Sequence, residues 1–264
     1  IENLDQQSLK KWFGQEHITR TLKNQIIANR VGHAYLFNGG RGTGKTSAAK
    51  ILARAINCPN SKDGEPCNEC EICKAMLEGT LTDVVEMDAA SNNSVEDIRS
   101  IREEVNFLPT VAKYRVYIID EVHMLSTGAF NALLKTLEEP PEHVKFILAT
   151  TEPQKLPATI LSRCQRFDFK KISDEDIIKR LKIICKESQI EITEDALKII
   201  ASLSEGAMRD SISILERCVQ DSEGKVTEEK IKELVGIPKI EHISKIVQSI
   251  IEKNAENALN VINE

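Results

Sequence analysis

The segment Gly39-Gly40-Arg41-Gly42-Thr43-Gly44-Lys45-Thr46 constrains the fold more than any other part of this chain. It fits the pattern GxxxxGK[ST] and stands between an apolar run, HAYLF (33–37), and a helical pattern, KTSAAKILARAI (45–56). Glycines let the backbone curl until successive N–H groups point at one anion. A helix opening near Lys45 adds the positive end of its dipole. In such a loop Lys45 can reach the outer phosphates of a nucleotide and the Thr46 hydroxyl can ligate Mg²⁺. Residues Gly39 through Ser47 are therefore the candidate phosphate cradle. A chance glycine-rich turn has no need of a strand before it and a helix after it.

The rest of the first part repeats that alternation. TDVVEMDAA (82–90), YRVYIIDEV (114–122) and KFILATT (145–151) read as further strands. A helix over 95–108 would put Ile98, Ile101, Val105 and Leu108 on one face. Another over 130–141 would align Phe130, Leu133, Leu134 and Leu137 and stop at Pro140. Strands alternating with helices predict a parallel sheet covered on both faces. After about residue 170 the strand signal stops. Patterns near 174–187, 194–204, 207–220 and 228–235 read as helices, with Ser173 and Thr193 as N-caps and Gly206 and Gly224 as punctuation. Gly236-Ile237-Pro238 reads as a linker, and 239–264 as one or two helices that end without a partner. The expected division is an α/β domain over 1–169, a small helical domain over 170–236, and the beginning of a third, all-helical domain over 237–264. A chain of 264 residues fits more than one domain.

Strand 116–119 runs into Asp120-Glu121. Residues at the C-terminal end of a parallel strand face the ligand crevice, so Asp120 can hold Mg²⁺ and Glu121 can polarise an attacking water as general base. Two acids that merely cap a strand in solvent are the alternative, which the upstream phosphate loop disfavours.

Cys58, Cys67, Cys70 and Cys73 are spaced C-x8-C-x2-C-x2-C, with Gly64 and Pro66 marking a loop. Four thiolates in so short a span can close around Zn²⁺, and an all-sulfur shell has no open position, which makes such a site structural. An iron–sulfur cluster and free thiols remain the alternatives. Cys164, Cys185 and Cys218 are isolated and read as small buried apolar residues.

Charge excludes little. The chain carries a net charge of -6, with both the part before and the part after residue 170 mildly acidic, so composition gives no argument for nucleic-acid binding. No run of apolar residues is long enough to span a bilayer and the first residues lack an apolar signal core. A cytoplasmic protein with reduced thiols and no membrane association is the expectation.

GGRGTGKTS (39–47), the four-cysteine insert, DEVHMLS (120–126), NALLKTLEEPPEHVKFILATTEPQKLP (131–157) and LSRC (161–164) together closely resemble the AAA+ clamp-loader ATPases of bacterial DNA polymerase III, on the gamma/tau side. The likeness covers roughly 14–236. It implies an AAA+ module with a zinc insert, a helical lid and a collar. It also implies an ATPase that helps to load a ring-shaped sliding clamp onto primed DNA, in an oligomeric ring with other loader subunits. By resemblance, Thr151 takes the sensor 1 position and Arg163 that of an arginine finger acting in trans on a neighbour's nucleotide. Arg209, in Gly206-Ala207-Met208-Arg209-Asp210, takes the sensor 2 position. Read without the resemblance, both arginines are solvated surface charges. The family carries a Tyr-Arg-Pro segment ahead of the Gly-Gln pair. Here QQSLKKWF precedes Gly14-Gln15, and the resemblance places the base near Phe13, Gly14 or Ile18. It offers Asn92-Asn93-Ser94 and Arg99 as DNA-backbone contacts, with an ordinary helix cap as the plain alternative. The rivals are a non-hydrolysing scaffold subunit of the same assembly, a different AAA+ motor such as a branch-migration enzyme, and a nucleotide kinase.

Overall fold

The computed structural model describes Ser8 and residues 14–220, 225–236 and 240–263. The α/β part runs α1 (Glu16–Ile27), β1 (Ala34–Gly39), α2 (Lys45–Asn57), α3 (Glu71–Leu77), β2 (Val84–Asp88), α4 (Val95–Glu104), β3 (Arg115–Asp120), α5 (Thr127–Glu138), β4 (Val144–Thr150), α6 (Ala158–Leu161) and β5 (Gln165–Phe169). The five strands form one sheet in the order β2-β3-β4-β1-β5, and every pairing is parallel.

Strand alternation divides the core in two. Leu36, Tyr117, Ile119, Phe146 and Leu148 face one way, onto Ile98 and Ile101 of α4 and Phe130, Leu133 and Leu137 of α5. Their chain neighbours Tyr35, Phe37, Ile118, Ile147 and Ala149 face the other way, onto Ile18 and Leu22 of α1 and Ala49 and Leu52 of α2. All seven residues of β4 are buried, as a central strand covered on both faces requires.

Three local expectations change. Helix α4 stops at Glu104 rather than 108. The Asn106 side chain donates to the carbonyls of Arg102 and Glu103, and Leu108 precedes Pro109, which disfavours helical backbone there. Leu108 is 74% exposed and does not share the face of Ile98 and Ile101. The following loop is anchored by Asp83, wholly buried, whose carboxylate accepts N–H bonds from Thr110, Val111 and Ala112 at 2.7, 2.8 and 2.9 Å. The cysteine insert is not all loop, because Cys70 caps α3 and Cys73 lies in its first turn. Strand β5 is a further element. Its Phe167 and Phe169 enter the α1/α2 side of the core while Arg166 and Asp168 stay in solvent.

Beyond β5 the chain is helical: α7 (Asp174–Glu187), α8 (Glu194–Leu203), α9 (Met208–Gln220) and α10 (Glu228–Val235), then α11 (Ile240–Ile251) and α12 (Ala255–Asn263). Ser173 and Thr193 cap α7 and α8, each accepting the N–H of the residue three positions on. Helices α7 to α10 share a core of their own, built on Leu181, Ile184, Ile200 and Leu215. Gly224, Ile237 and Pro238 fall outside the described residues. Among those described, no helix is long and apolar enough to cross a membrane.

Candidate nucleotide and metal sites

Strand β1 ends at Gly39 in the middle of the sheet, and α2 begins six residues later, with Gly44 as its N-cap at φ 94°. The intervening loop curls around the Lys45 ammonium, which donates to the carbonyls of Gly39 (2.9 Å) and Gly40 (2.8 Å). Thr43 Oγ1 adds a bond to Gly40 O at 2.8 Å. Burial pushes the Lys45 pKa down, and the nearby Glu121 and Asp120 carboxylates oppose that shift. The loop thus presents a partly desolvated cation beside two acids.

Thr46 Oγ1, on the first turn of α2, donates to Asp120 Oδ2 at 2.6 Å. Asp120 is the last residue of β3, so the sheet and the helix supply one oxygen each to a common point. This hard, oxygen-only pair fits Mg²⁺. Glu121 leaves the strand in the left-handed region at φ 45°, a costly conformation for a non-glycine residue. That turn sends its side chain towards the end of β4. Glu121 Oε2 accepts from Thr151 N–H (3.3 Å) and Thr151 Oγ1 (3.0 Å), and His123 Nδ1 lies 3.3 Å from the same oxygen. His123 was not singled out from sequence, although it stands inside the DEVHMLS run.

The lid reaches the phosphate loop directly. Met208, the first residue of α9, donates its N–H to Gly42 O at 2.9 Å. A Cβ on Gly42, whose φ is +72°, would lie 2.7 Å from Ala207 Cβ. Arg209 follows at once in the chain and is exposed. Arg41, Ser47 and Gly40 complete the loop surface or first helical turn. Arg163 points elsewhere: its guanidinium pairs with Glu138 at 2.9 Å and donates to Thr159 O at 3.0 Å, neither of which belongs to the phosphate loop.

At the other lip of β1, Gln15 is fully buried and makes a paired contact with the chain at Lys170, donating to its carbonyl at 2.6 Å and accepting its N–H at 3.1 Å. Ile172 N–H in turn donates to Gly206 O at 3.1 Å. The start of α1, the link to the helical part and the turn into α9 therefore meet at one place. Gly14 lies against Ile172, the Ile18 side chain belongs to the α1/α2 core, and Phe13 falls outside the described residues. Ser94 and Asp97 form a reciprocal cap on α4, with Glu96 also in the first turn and paired to Arg99. That helix end, which follows Asn92-Asn93, is already satisfied by acids.

The four insert cysteines converge. Their sulfurs all lie within 4.8 Å of one another, with Cys58–Cys70 and Cys67–Cys73 both at 4.0 Å. Four sulfurs at tetrahedral corners around Zn²⁺ are about 3.8 Å apart, so the donors fit a single ion. A multi-iron cluster would hold them further apart. Backbone N–H groups of Cys67, Cys70 and Cys73 donate to the preceding sulfurs at 3.3, 3.3 and 3.4 Å. The Cys67 thiol is pulled down to about 6, first by the Glu69 N–H, whereas burial pushes Cys58 and Cys73 up. The guanidinium of Arg54, 1% exposed on α2, adjoins Cys73 and Cys58. A dication held by four thiolates would carry a net charge of about −2, which this cation would offset.

Residues 14–173 match the family described as "DNA polymerase III, delta subunit", and 176–224 the one described as "DNA polymerase III clamp loader subunit, ATPase lid domain". DNA polymerase III subunit tau of Bacillus subtilis (strain 168) is 53% identical over 95% of this chain and 45% of that protein. The tau subunit of Escherichia coli (strain K12) is 43% identical over 95% of this chain and 39% of its own length. DNA polymerase III subunit gamma of Buchnera aphidicola subsp. Schizaphis graminum is 41% identical, covering 98% and 71%. The chain thus spans less than half the length of the two tau relatives. Among solved structures, the Thermotoga maritima RuvB Holliday junction branch migration motor superposes with a TM-score of 0.66 at 20% identity, over 95% of this chain and 80% of that one. That likeness concerns the fold, a P-loop AAA+ module.

Proposed function

This chain belongs to the DNA polymerase III clamp-loader family, and from that membership we propose that it is an ATP-hydrolysing subunit of a loader that places a sliding clamp on primed DNA. The observation that carries the reading is the convergence of Lys45, Thr46, Asp120, Glu121 and Thr151 at one end of the sheet, with Thr46 and Asp120 joined at 2.6 Å. A non-hydrolysing scaffold has no need for that whole set, and a nucleotide kinase has no need for Glu121.

The reaction is ATP and water to ADP and phosphate. Backbone N–H groups of 40–46 and the α2 dipole hold the β- and γ-phosphates, and the Lys45 ammonium exchanges its loop carbonyls for phosphate oxygens. Mg²⁺, held by Thr46 and Asp120, neutralises charge on the phosphate oxygens when bound. Glu121 takes a proton from the attacking water, while the Thr151 hydroxyl turns from Glu121 towards the γ-phosphate. Arg209 carries the nucleotide state into the lid through the contact of Met208 with Gly42. Arg163 leaves Glu138 for the γ-phosphate of a neighbouring subunit, where it stabilises developing charge. The zinc site is structural, holding the insert over 58–73 against α1 and α2. We place the domain limits at 169/170 and 236/237, a division supported by the separate core of α7–α10, with α11 and α12 as part of a collar that meets other subunits. The base site at Gly14 and the DNA contacts at Asn92–Ser94 and Arg99 belong to the same reading.

The test is ATP turnover by the full-length protein, its loader partners, clamp and primed DNA, comparing wild type with Lys45→Ala and Arg163→Ala. Stimulation by clamp and DNA that both variants lose supports the proposal. A wild-type assembly that binds ATP yet shows no stimulated turnover defeats it in favour of a scaffold.

A further inference from the structure

We propose that His123 is a positioning residue for hydrolysis: it keeps the Glu121 carboxylate aimed when Thr151 turns to the nucleotide. This rests on the reading of Glu121 as general base. His123 lies in the short 3₁₀ turn after β3, with its side chain 6% exposed between three oxygens. Nδ1 is 3.0 Å from Thr150 Oγ1 and 3.3 Å from Glu121 Oε2; Nε2 is 3.6 Å from Glu152 Oε1. Thr150 Oγ1 also accepts the Glu152 N–H at 3.0 Å, and Glu152 is held in turn by Lys155 at 2.9 Å. The ring is therefore held at Nδ1 by the end of β4, with Nε2 facing the carboxylate of the loop that follows.

Nδ1 makes its hydrogen bond with Thr150 Oγ1; with the proton on Nδ1 the ring also turns an N–H edge rather than a lone pair towards Glu121 Oε2, which avoids setting two acceptors face to face. Glu121 Oε2 accepts two hydrogen bonds, both from Thr151, and has His123 Nδ1 beside it at 3.3 Å, while among the described residues Oε1 accepts none. Oε2 is the anchored oxygen and Oε1 the one offered to water. The Thr151 hydroxyl cannot stay if it is to engage the γ-phosphate, which leaves the long 3.3 Å Thr151 N–H bond as the one remaining from that residue. His123 can, because its own partners, Thr150 and Glu152, have no part in binding nucleotide.

The experiment uses the reconstituted loader with clamp and primed DNA, and measures nucleotide affinity with a fluorescent ATP analogue beside kcat. The variants are His123→Leu, which fills the space without a donor, His123→Asn, which puts an amide N–H near the Nδ1 position, and Glu121→Gln as reference. His123→Leu is expected to lower stimulated kcat about 100-fold, the scale of a misplaced catalytic group, with nucleotide affinity unchanged. His123→Asn is expected to recover most of the loss. Wild-type turnover in His123→Leu, a parallel loss of affinity and kcat, or an asparagine variant as poor as the leucine one each overturns the proposal. If Glu121→Gln itself keeps full stimulated turnover, the general-base reading fails and His123 falls with it. A dead Glu121→Gln beside an active His123→Leu sinks only the positioning role.

Discussion

Thr46 and Asp120, 74 positions apart in sequence, share a 2.6 Å hydrogen bond that ties the first turn of α2 to the last residue of β3. Each is placed by a different element, so neither alone defines the point where their oxygens meet. Thr46→Ala or Asp120→Asn is expected to weaken binding of ATP with Mg²⁺ by about 10- to 100-fold, roughly 1.5–3 kcal/mol, while leaving binding of ATP in EDTA little changed. Calorimetric titration with and without the cation checks this. Equal losses under both conditions would contradict a metal role for the pair.

Gly42→Ala places a Cβ 2.7 Å from Ala207 Cβ at a backbone φ of +72°. The strain is of the order of 1–3 kcal/mol. Relief by moving α9 away is expected to break the Met208–Gly42 hydrogen bond. Amide exchange at Met208 then rises, while exchange in α7 does not. A variant with unchanged exchange at Met208 would show that the contact is not shared between loop and lid.

Purified protein is expected to carry one zinc per chain, measured by elemental analysis, and Cys73→Ser to lose it together with thermal stability. Arg54→Met removes the cation beside Cys58 and Cys73. It is expected to speed zinc transfer to a colorimetric chelator by about tenfold, the scale of other outer-shell changes. Iron in place of zinc, or release at the wild-type rate in Arg54→Met, would count against these assignments.

Arg163→Ala is expected to bind ATP normally and to cut stimulated turnover roughly 1,000-fold, within the range of trans-acting arginines. The defect belongs to the neighbour's site. Mixed with a Lys45→Ala subunit, Arg163→Ala is expected to regain activity where it sits downstream of an intact Arg163. Strict additivity of the two defects in mixtures would place Arg163 in its own site instead.

Asp83 predicts a pH dependence. Burial raises its pKa, but the N–H donors of Ala112, Val111 and Thr110 outweigh that and leave it below the ordinary 3.8. A depressed carboxylate contributes stability that is fully present above 3.8 and lost as pH falls through the folded value. Asp83→Ala is expected to cost about 3 kcal/mol at pH 7, with the gap to wild type closing below 3.8 in urea titrations. A gap that persists at lower pH would point to packing rather than charge.

What the sequence discloses here is what local chemistry determines. The phosphate loop, the caps at Ser173 and Thr193 and the stop before Pro140 depend on residues a few positions apart, and all are legible. Strand β5 is not, because the alternation in QRFDF is only five residues long and its place is set by pairing with β1. Helix α3 hides behind the cysteines that open it. His123 sits in plain view, yet its significance comes from Thr150 and Glu152 on another strand's end. Gln15 is likewise silent until Lys170 arrives beside it.

That arrival has a consequence for how the protein comes into being. Strand β1, which carries the phosphate loop, pairs with β4 and β5 and with nothing earlier. Gln15 waits for Lys170 across a separation of 155 positions. On a ribosome adding 5–20 residues per second, the gap lasts roughly 10–30 s. For most of it, until β4 is made, the glycine loop has no flanking strand to hold its curl. A nucleotide that binds where that curl is held would stabilise finished domains over unfinished ones.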